Sequence, residues 1–87
     1  MTVWSVRLSS EARKVFERAD RPTKSRIVEK LKSVALDPFA ASKSLVNSDM
    51  RSARVGGLRI LLKLDHGEVV ILVISIEPRG QVYRRLS

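Results

Sequence analysis

Beyond Met50 the apolar residues of this chain fall at every second position, and two short glycine turns punctuate them. Leu58, Ile60, Leu62 and Leu64 alternate with Arg59, Leu61 and Lys63, the period of a strand that buries one face. Arg51–Val55 and Val69–Ile76 read as strands on either side of it. Gly56-Gly57 and His66-Gly67 supply the tight turns, where positive φ costs glycine little. Three strands joined in this way make an antiparallel meander. His66 is most simply a turn residue.

The first half of the chain follows a different period. Trp4, Val6 and Leu8 alternate with Val3, Ser5 and Arg7, which predicts a half-buried strand over Val3–Leu8. Ser9 or Ser10 then offers a helix N-cap, with Glu11 in the first turn, where negative charge suits the helix dipole. Ala12, Val15, Phe16 and Ala19 form one helical stripe, broken at Asp20-Arg21-Pro22. Ile27, Leu31 and Val34 form a second stripe, with Val28 and Ala35 beside it, and Asp37-Pro38 ends that helix. Residues 38–50 read as a loop anchored by Phe39 and Leu45. The expected fold is α+β: an N-terminal strand, an antiparallel helical hairpin and a three-stranded meander, with the helices on one face of a four-stranded sheet.

With 87 residues, 44% of them hydrophobic, the chain fits one domain spanning residues 1–87. No cysteine is present, so disulfides, thiol catalysis and Cys-based metal sites are excluded, and a single histidine excludes a His-rich one. No metal and no cofactor is expected. The N-terminus lacks a basic segment followed by an apolar run, and Val69 to Ile74 is too short to cross a bilayer, so a cytoplasmic protein with no membrane partner is expected. Seventeen Lys and Arg against nine Asp and Glu give a net charge of +8. Like charges oppose compaction, so this excess points to a polyanionic partner more than to folding.

Alternation places Arg54, Arg59 and Lys63 on the sheet face away from the helices, together with Ser52 and Leu61. A cation at the centre of a leucine-rich strand lowers stability unless it is solvated or paired. The C-terminal run Arg79-Gly80-Gln81-Val82-Tyr83-Arg84-Arg85 adds three arginines and a ring able to stack on an unpaired base. Arg51, Arg54, Lys63, Arg84 and Arg85 are the candidate RNA-binding cations. A strip around Leu61, flanked by cations, would suit an amphipathic acidic helix or strand.

Arg54-Val55-Gly56-Gly57-Leu58-Arg59, followed by a strand and then Arg79-Gly80-Gln81-Val82-Tyr83-Arg84, resembles the RelE/ParE toxins of type II toxin–antitoxin systems, RelE-like mRNA endonucleases above all. There an Arg-Val-Gly-Asp-Tyr-Arg segment precedes a His-Arg-Arg-Glu-Val-Tyr-Arg segment. Asp20-Arg21-Pro22, Arg26-Ile27-Val28 and Asp37-Pro38 agree as well. The resemblance implies a ribosome-dependent mRNA endonuclease that uses no metal. In that scheme the RNA's own 2′-hydroxyl attacks the adjacent phosphorus and leaves a 2′,3′-cyclic phosphate. It implies three partners: a cognate acidic antitoxin in a hetero-oligomer, mRNA in the ribosomal A site, and ribosomal RNA. By position, the implied catalytic residues are Arg59 on the scissile phosphate, Arg79 on the phosphorane or leaving oxygen, and Tyr83 stacking or assisting proton transfer; Arg54 would hold the backbone. The chain departs from the family pattern at Pro78, Gly80, Gln81, Gly57 and Leu58, and Ser52 stands where a basic residue is common. Two other functions remain open at this stage: a ParE-type inhibitor of DNA gyrase, and a basic RNA- or antitoxin-binding module without cleavage.

Overall fold

A computed structural model describes residues 3–78. The elements run β1 (Ser5–Leu8), α1 (Ser10–Arg18), α2 (Arg21–Leu36), α3 (Pro38–Ala41), β2 (Lys43–Ser44), β3 (Met50–Val55), β4 (Leu58–Asp65) and β5 (Val70–Pro78). The strands form a five-stranded sheet in the order β1-β5-β4-β3-β2. The expected α+β architecture is present, with three differences in detail.

First, β1 pairs in parallel with β5, Ser5 opposite Val70 and Leu8 opposite Val73. The last strand is therefore interior, which is why both of its faces are apolar. Second, residues 38–50 are not a plain loop. They hold the one-turn α3 and a two-residue β2, which pairs with Arg51 and Ser52 of β3. Pro38 and Ser42 are the buried anchors of this segment, whereas Phe39 is exposed. Third, the β4–β5 connection is four residues, not two, because Asp65 pairs with Val70. Val69 in it has φ +56, an unusual conformation for a β-branched residue. Its carbonyl accepts the first hydrogen bond from β1, from the Ser5 N–H at 3.0 Å, and the Asp65 carboxylate accepts the Glu68 N–H at 3.0 Å. Those two bonds hold the turn in place against its local preference.

The core lies between the helices and one sheet face. Ala12 of α1 and Ile27, Leu31 and Val34 of α2 pack over Ile60 and Leu62 of β4 and Ile71, Val73 and Ile76 of β5. Helix boundaries follow local chemistry: Asp20 caps α2 by accepting the Thr23 N–H at 2.9 Å, and Pro22 sits in its first turn. Asp20 titrates below the usual carboxylate range, chiefly because of its hydrogen bonds with Thr23. Among the described residues no helix is long and apolar enough to cross a membrane.

Ser9 connects the two layers. Its hydroxyl oxygen accepts the Ala12 N–H at 3.0 Å, capping α1, and its O–H donates to the Ile74 carbonyl at 2.7 Å. Ile74 is the extra residue of a β-bulge, since Leu61 pairs with Ser75 while Leu62 pairs with Val73. One side chain thus satisfies both a helix end and the carbonyl that the bulge displaces. We expect Ser9→Ala to lose about 2 kcal/mol of stability, since a cap alone is worth about 1 kcal/mol and a bulge carbonyl is orphaned besides. Urea denaturation of the variant measures this, and an unchanged midpoint would show that water replaces both bonds.

Candidate nucleic-acid interface

The turn at Gly56-Gly57 sets the geometry of the open sheet face. Gly56 has φ +55, so the positive φ falls at the first turn position, as a type II′ hairpin requires. Val55 pairs with Leu58 across this turn. A two-residue turn closes on a hydrogen-bonded pair, which makes the next pair, Arg54 with Arg59, a non-hydrogen-bonded one. At such sites the Cα atoms approach to about 4.5 Å and the side chains are closest. On the other side of Arg59 stands Glu77 of β5. Arg54, Arg59 and Glu77 therefore form one row across three strands.

The next row along the open face is Ser52, Leu61 and Ser75, with Ile74 inserted at the bulge. Ser75 is buried, and its Oγ has no hydrogen-bond partner among the described residues. Beyond it come Met50, Lys63, Leu72 and Arg7. Arg59 and Lys63 are four positions apart, about 13 Å along the strand. The face thus has cations at both ends, Leu61 and Ile74 between them, and the exposed Leu72 beside Lys63.

The expected site residues do not all converge. Arg54 and Arg59 are side by side at the hairpin end, and Lys63 shares their face at the far end. Lys63 Nζ lies 3.1 Å from Asp49 Oδ2, and that hydrogen bond and charge hold the Asp49 carboxyl below its usual range. Arg51 is turned the other way. It shares the parity of the buried Ala53 and Val55, its Nε donates to Ser42 Oγ at 2.7 Å, and its Nη2 donates to the Ser42 carbonyl at 2.9 Å. Its guanidinium also lies 5.2 Å from the Phe39 ring centroid. Arg51 fastens α3 to the sheet edge and stands apart from the Arg54–Arg59 row; the alternation of β3 already contained that orientation. Arg79, Tyr83, Arg84 and Arg85 lie outside the described residues. The last described residue, Pro78, is registered opposite Leu58, next to Arg59.

His66 occupies the β4–β5 turn and packs edge-on against Trp4, with ring centroids 5.5 Å apart, and near-parallel to Phe39 at 6.1 Å. Two cations outside the expected set border the interface. Arg7 was on the outward side of the first strand, but its place beside Leu72 depends on the parallel β1–β5 pairing. Arg26 of α2 reaches the hairpin turn, where its Nη1 would lie 3.6 Å from a Cβ on Gly56; only the crossing of helix over sheet reveals this. Among the described residues no three His, Asp or Glu side chains gather as a metal site would need.

The fold is that of the RelE toxins. A chain of the RelBE2 toxin–antitoxin complex from Mycobacterium tuberculosis superposes with a TM-score of 0.80 at 21% identity, covering 88% of this chain and 99% of that one. The isolated RelE toxin of E. coli gives 0.76 at 18% identity, covering 97% and 99%, and the intact E. coli RelBE complex gives 0.74 at 22%, covering 86% and 95%. The profile of the ParE toxin of type II toxin–antitoxin systems, parDE, matches residues 6–83, and the chain belongs to that family of toxins. No curated protein matches it by sequence.

Two outcomes are expected of the residues just placed. Lys63→Gln returns Asp49 to the ordinary carboxylate range, read by NMR titration of its side chain. Because the folded value is depressed, the pair's stabilisation is complete above the ordinary carboxylate pKa and disappears as pH falls through the depressed one; an Asp49 titration unmoved in the variant would refute the pairing. Arg51→Ala lowers stability by about 1 kcal/mol in urea denaturation, the worth of partly exposed charge-assisted hydrogen bonds.

Proposed function

We propose that this toxin cleaves mRNA held in the ribosomal A site, and that a cognate acidic antitoxin neutralises it. The observation that carries the reading is the cross-strand Arg54–Arg59 pair on the open face. Like charges directly opposite each other in a sheet are destabilising by some tenths of a kcal/mol. Folding gains nothing from the pair, whereas two adjacent guanidinium forks match the oxygens of a phosphodiester.

In the reaction the 2′-oxygen forms a bond to phosphorus and the bond from phosphorus to the 5′-oxygen breaks. The products are a 2′,3′-cyclic phosphate and a 5′-hydroxyl; the nucleophile loses a proton and the leaving oxygen gains one. Arginine keeps its proton at physiological pH, so the arginines act by binding charge and not by taking protons. Arg59 stabilises the negative charge that develops on the phosphorane, where fixed donors contribute most. Arg54 holds the adjoining backbone, and Lys63 meets the strand at the far end of the face. Arg79 serves the leaving oxygen and Tyr83 stacks on a base or relays its proton, with Arg84 and Arg85 adding phosphate contacts. In-line geometry comes from the ribosome's grip on the message, which is the entropic part of the catalysis.

The apolar residues of the face, Leu61 and Ile74 between the cationic ends and Leu72 beside Lys63, suit an amphipathic acidic segment of the antitoxin. Structural relatives of this fold are toxin–antitoxin complexes, which supports such a partner. A cytoplasmic location goes with a ribosomal target. The ParE family match favours one second reading, a toxin directed at DNA gyrase. The shared fold serves either target, because function resides in the site.

Induction of the toxin is expected to deplete mRNAs within minutes and leave 3′ ends carrying cyclic phosphate. Arg59→Ala, Arg79→Ala and Tyr83→Phe should each relieve growth arrest while the proteins retain their circular dichroism. A DNA-damage response with intact messages would instead establish the gyrase reading, and undiminished arrest in all three folded variants would remove the assigned site.

A further inference from the structure

The cations of the hairpin do not end at the sheet's rim. β2 pairs only with Arg51 and Ser52, so from Ala53 onward β3 is the edge of the sheet. Beside this bare edge an open groove runs between β3 and α2, bordered by Ser25, Arg26, Glu29 and Lys30 of the helix and by Arg54 and Gly56 of the hairpin. Arg26 and Lys30 are one turn apart on α2, along the flank of its buried Ile27–Leu31 stripe that faces β3. Arg26 is exposed and lies against the Gly56 turn, while Lys30 is half-buried. The one carboxylate on the groove, Glu29, is drawn towards Lys32, whose Nζ lies 3.7 Å away. Arg54 belongs to both surfaces: it faces Arg59 across the ladder and also lines the groove.

We propose that Arg26 and Lys30 bind phosphates of the RNA flanking the cleavage site, so that the strand passes over the β3 edge from the Arg59 row into the α2 groove. This rests on the reading of the open face as the RNA-binding surface and extends it. The occupant follows from the lining. Three cations against one carboxylate, with the hydroxyls of Ser25 and Ser33 beside them, match a phosphodiester chain better than a helix with an apolar face. The groove is also continuous with Arg59 through Arg54, whereas the cations of α1, such as Arg13 and Lys14, do not border it.

The test compares binding of two single-stranded RNAs, of about 4 and about 12 nucleotides, within the range such surfaces cover. For Arg26→Gln/Lys30→Gln the slope of log affinity against log salt for the longer RNA should shrink by about 1.4, two phosphate contacts' worth. The shorter RNA should bind as it does to the parent protein. Arg13→Gln/Lys14→Gln carries the same change in net charge and should leave the slope nearly unchanged. An equal loss in both double variants, or an equal loss for both RNAs, would overturn the groove. So would a groove variant that keeps its RNA affinity but loses capture of a glutamate-rich peptide, since the occupant would then be a protein. Parent-like binding of both RNAs by Arg59→Gln would sink the open-face reading itself, and with it the track that extends from it.

Discussion

A β-strand cannot turn Ile60 and Leu62 into a core without turning Arg59, Leu61 and Lys63 away from it. That alternation governs most of what this molecule presents to its surroundings. The helices need an apolar floor, and β4 supplies one from alternate residues. The intervening residues are then displayed on the opposite face in a fixed order. Once Gly56-Gly57 closes the hairpin, register has no freedom left, and Arg54 must stand opposite Arg59. The cationic row is a geometric consequence of core burial, and the sequence needed only to put arginine at two outward positions.

The same logic explains how much could be read before any coordinates. The periods of β4, α1 and α2 were legible, because each is a local pattern repeated over several residues. So was the Gly56-Gly57 turn, where the chain states its own backbone requirement. The parallel β1–β5 pairing was not, since it joins residues 65 apart, as the Ser9–Ile74 bond does. α3 and β2 are too short to show a period. The turn at Val69 was not legible either, because a β-branched residue there violates the local preference, which the hydrogen bonds of Ser5 and Glu68 around it override.

Within the candidate site the difficulty was of another kind. Counting cations singled out Arg51 with Arg54, yet parity separates them, and Ser42 and Phe39 occupy the Arg51 guanidinium. Conversely, no local period singles out Arg26 as a site residue, because its approach to Gly56 depends on how α2 crosses the sheet. Alternation predicts which face a strand residue takes; it cannot predict which helix residue meets a strand's rim.

β5 lies between β1 and β4, yet it is made after all the other strands. While a nascent chain is emerging, β1 has no neighbour, and α1 and α2 lack the floor that Ile71, Val73 and Ile76 provide. Contacts of such long sequence separation also form slowly. The order of synthesis therefore delays the fold: most of the chain is made before the interior strand of its sheet exists.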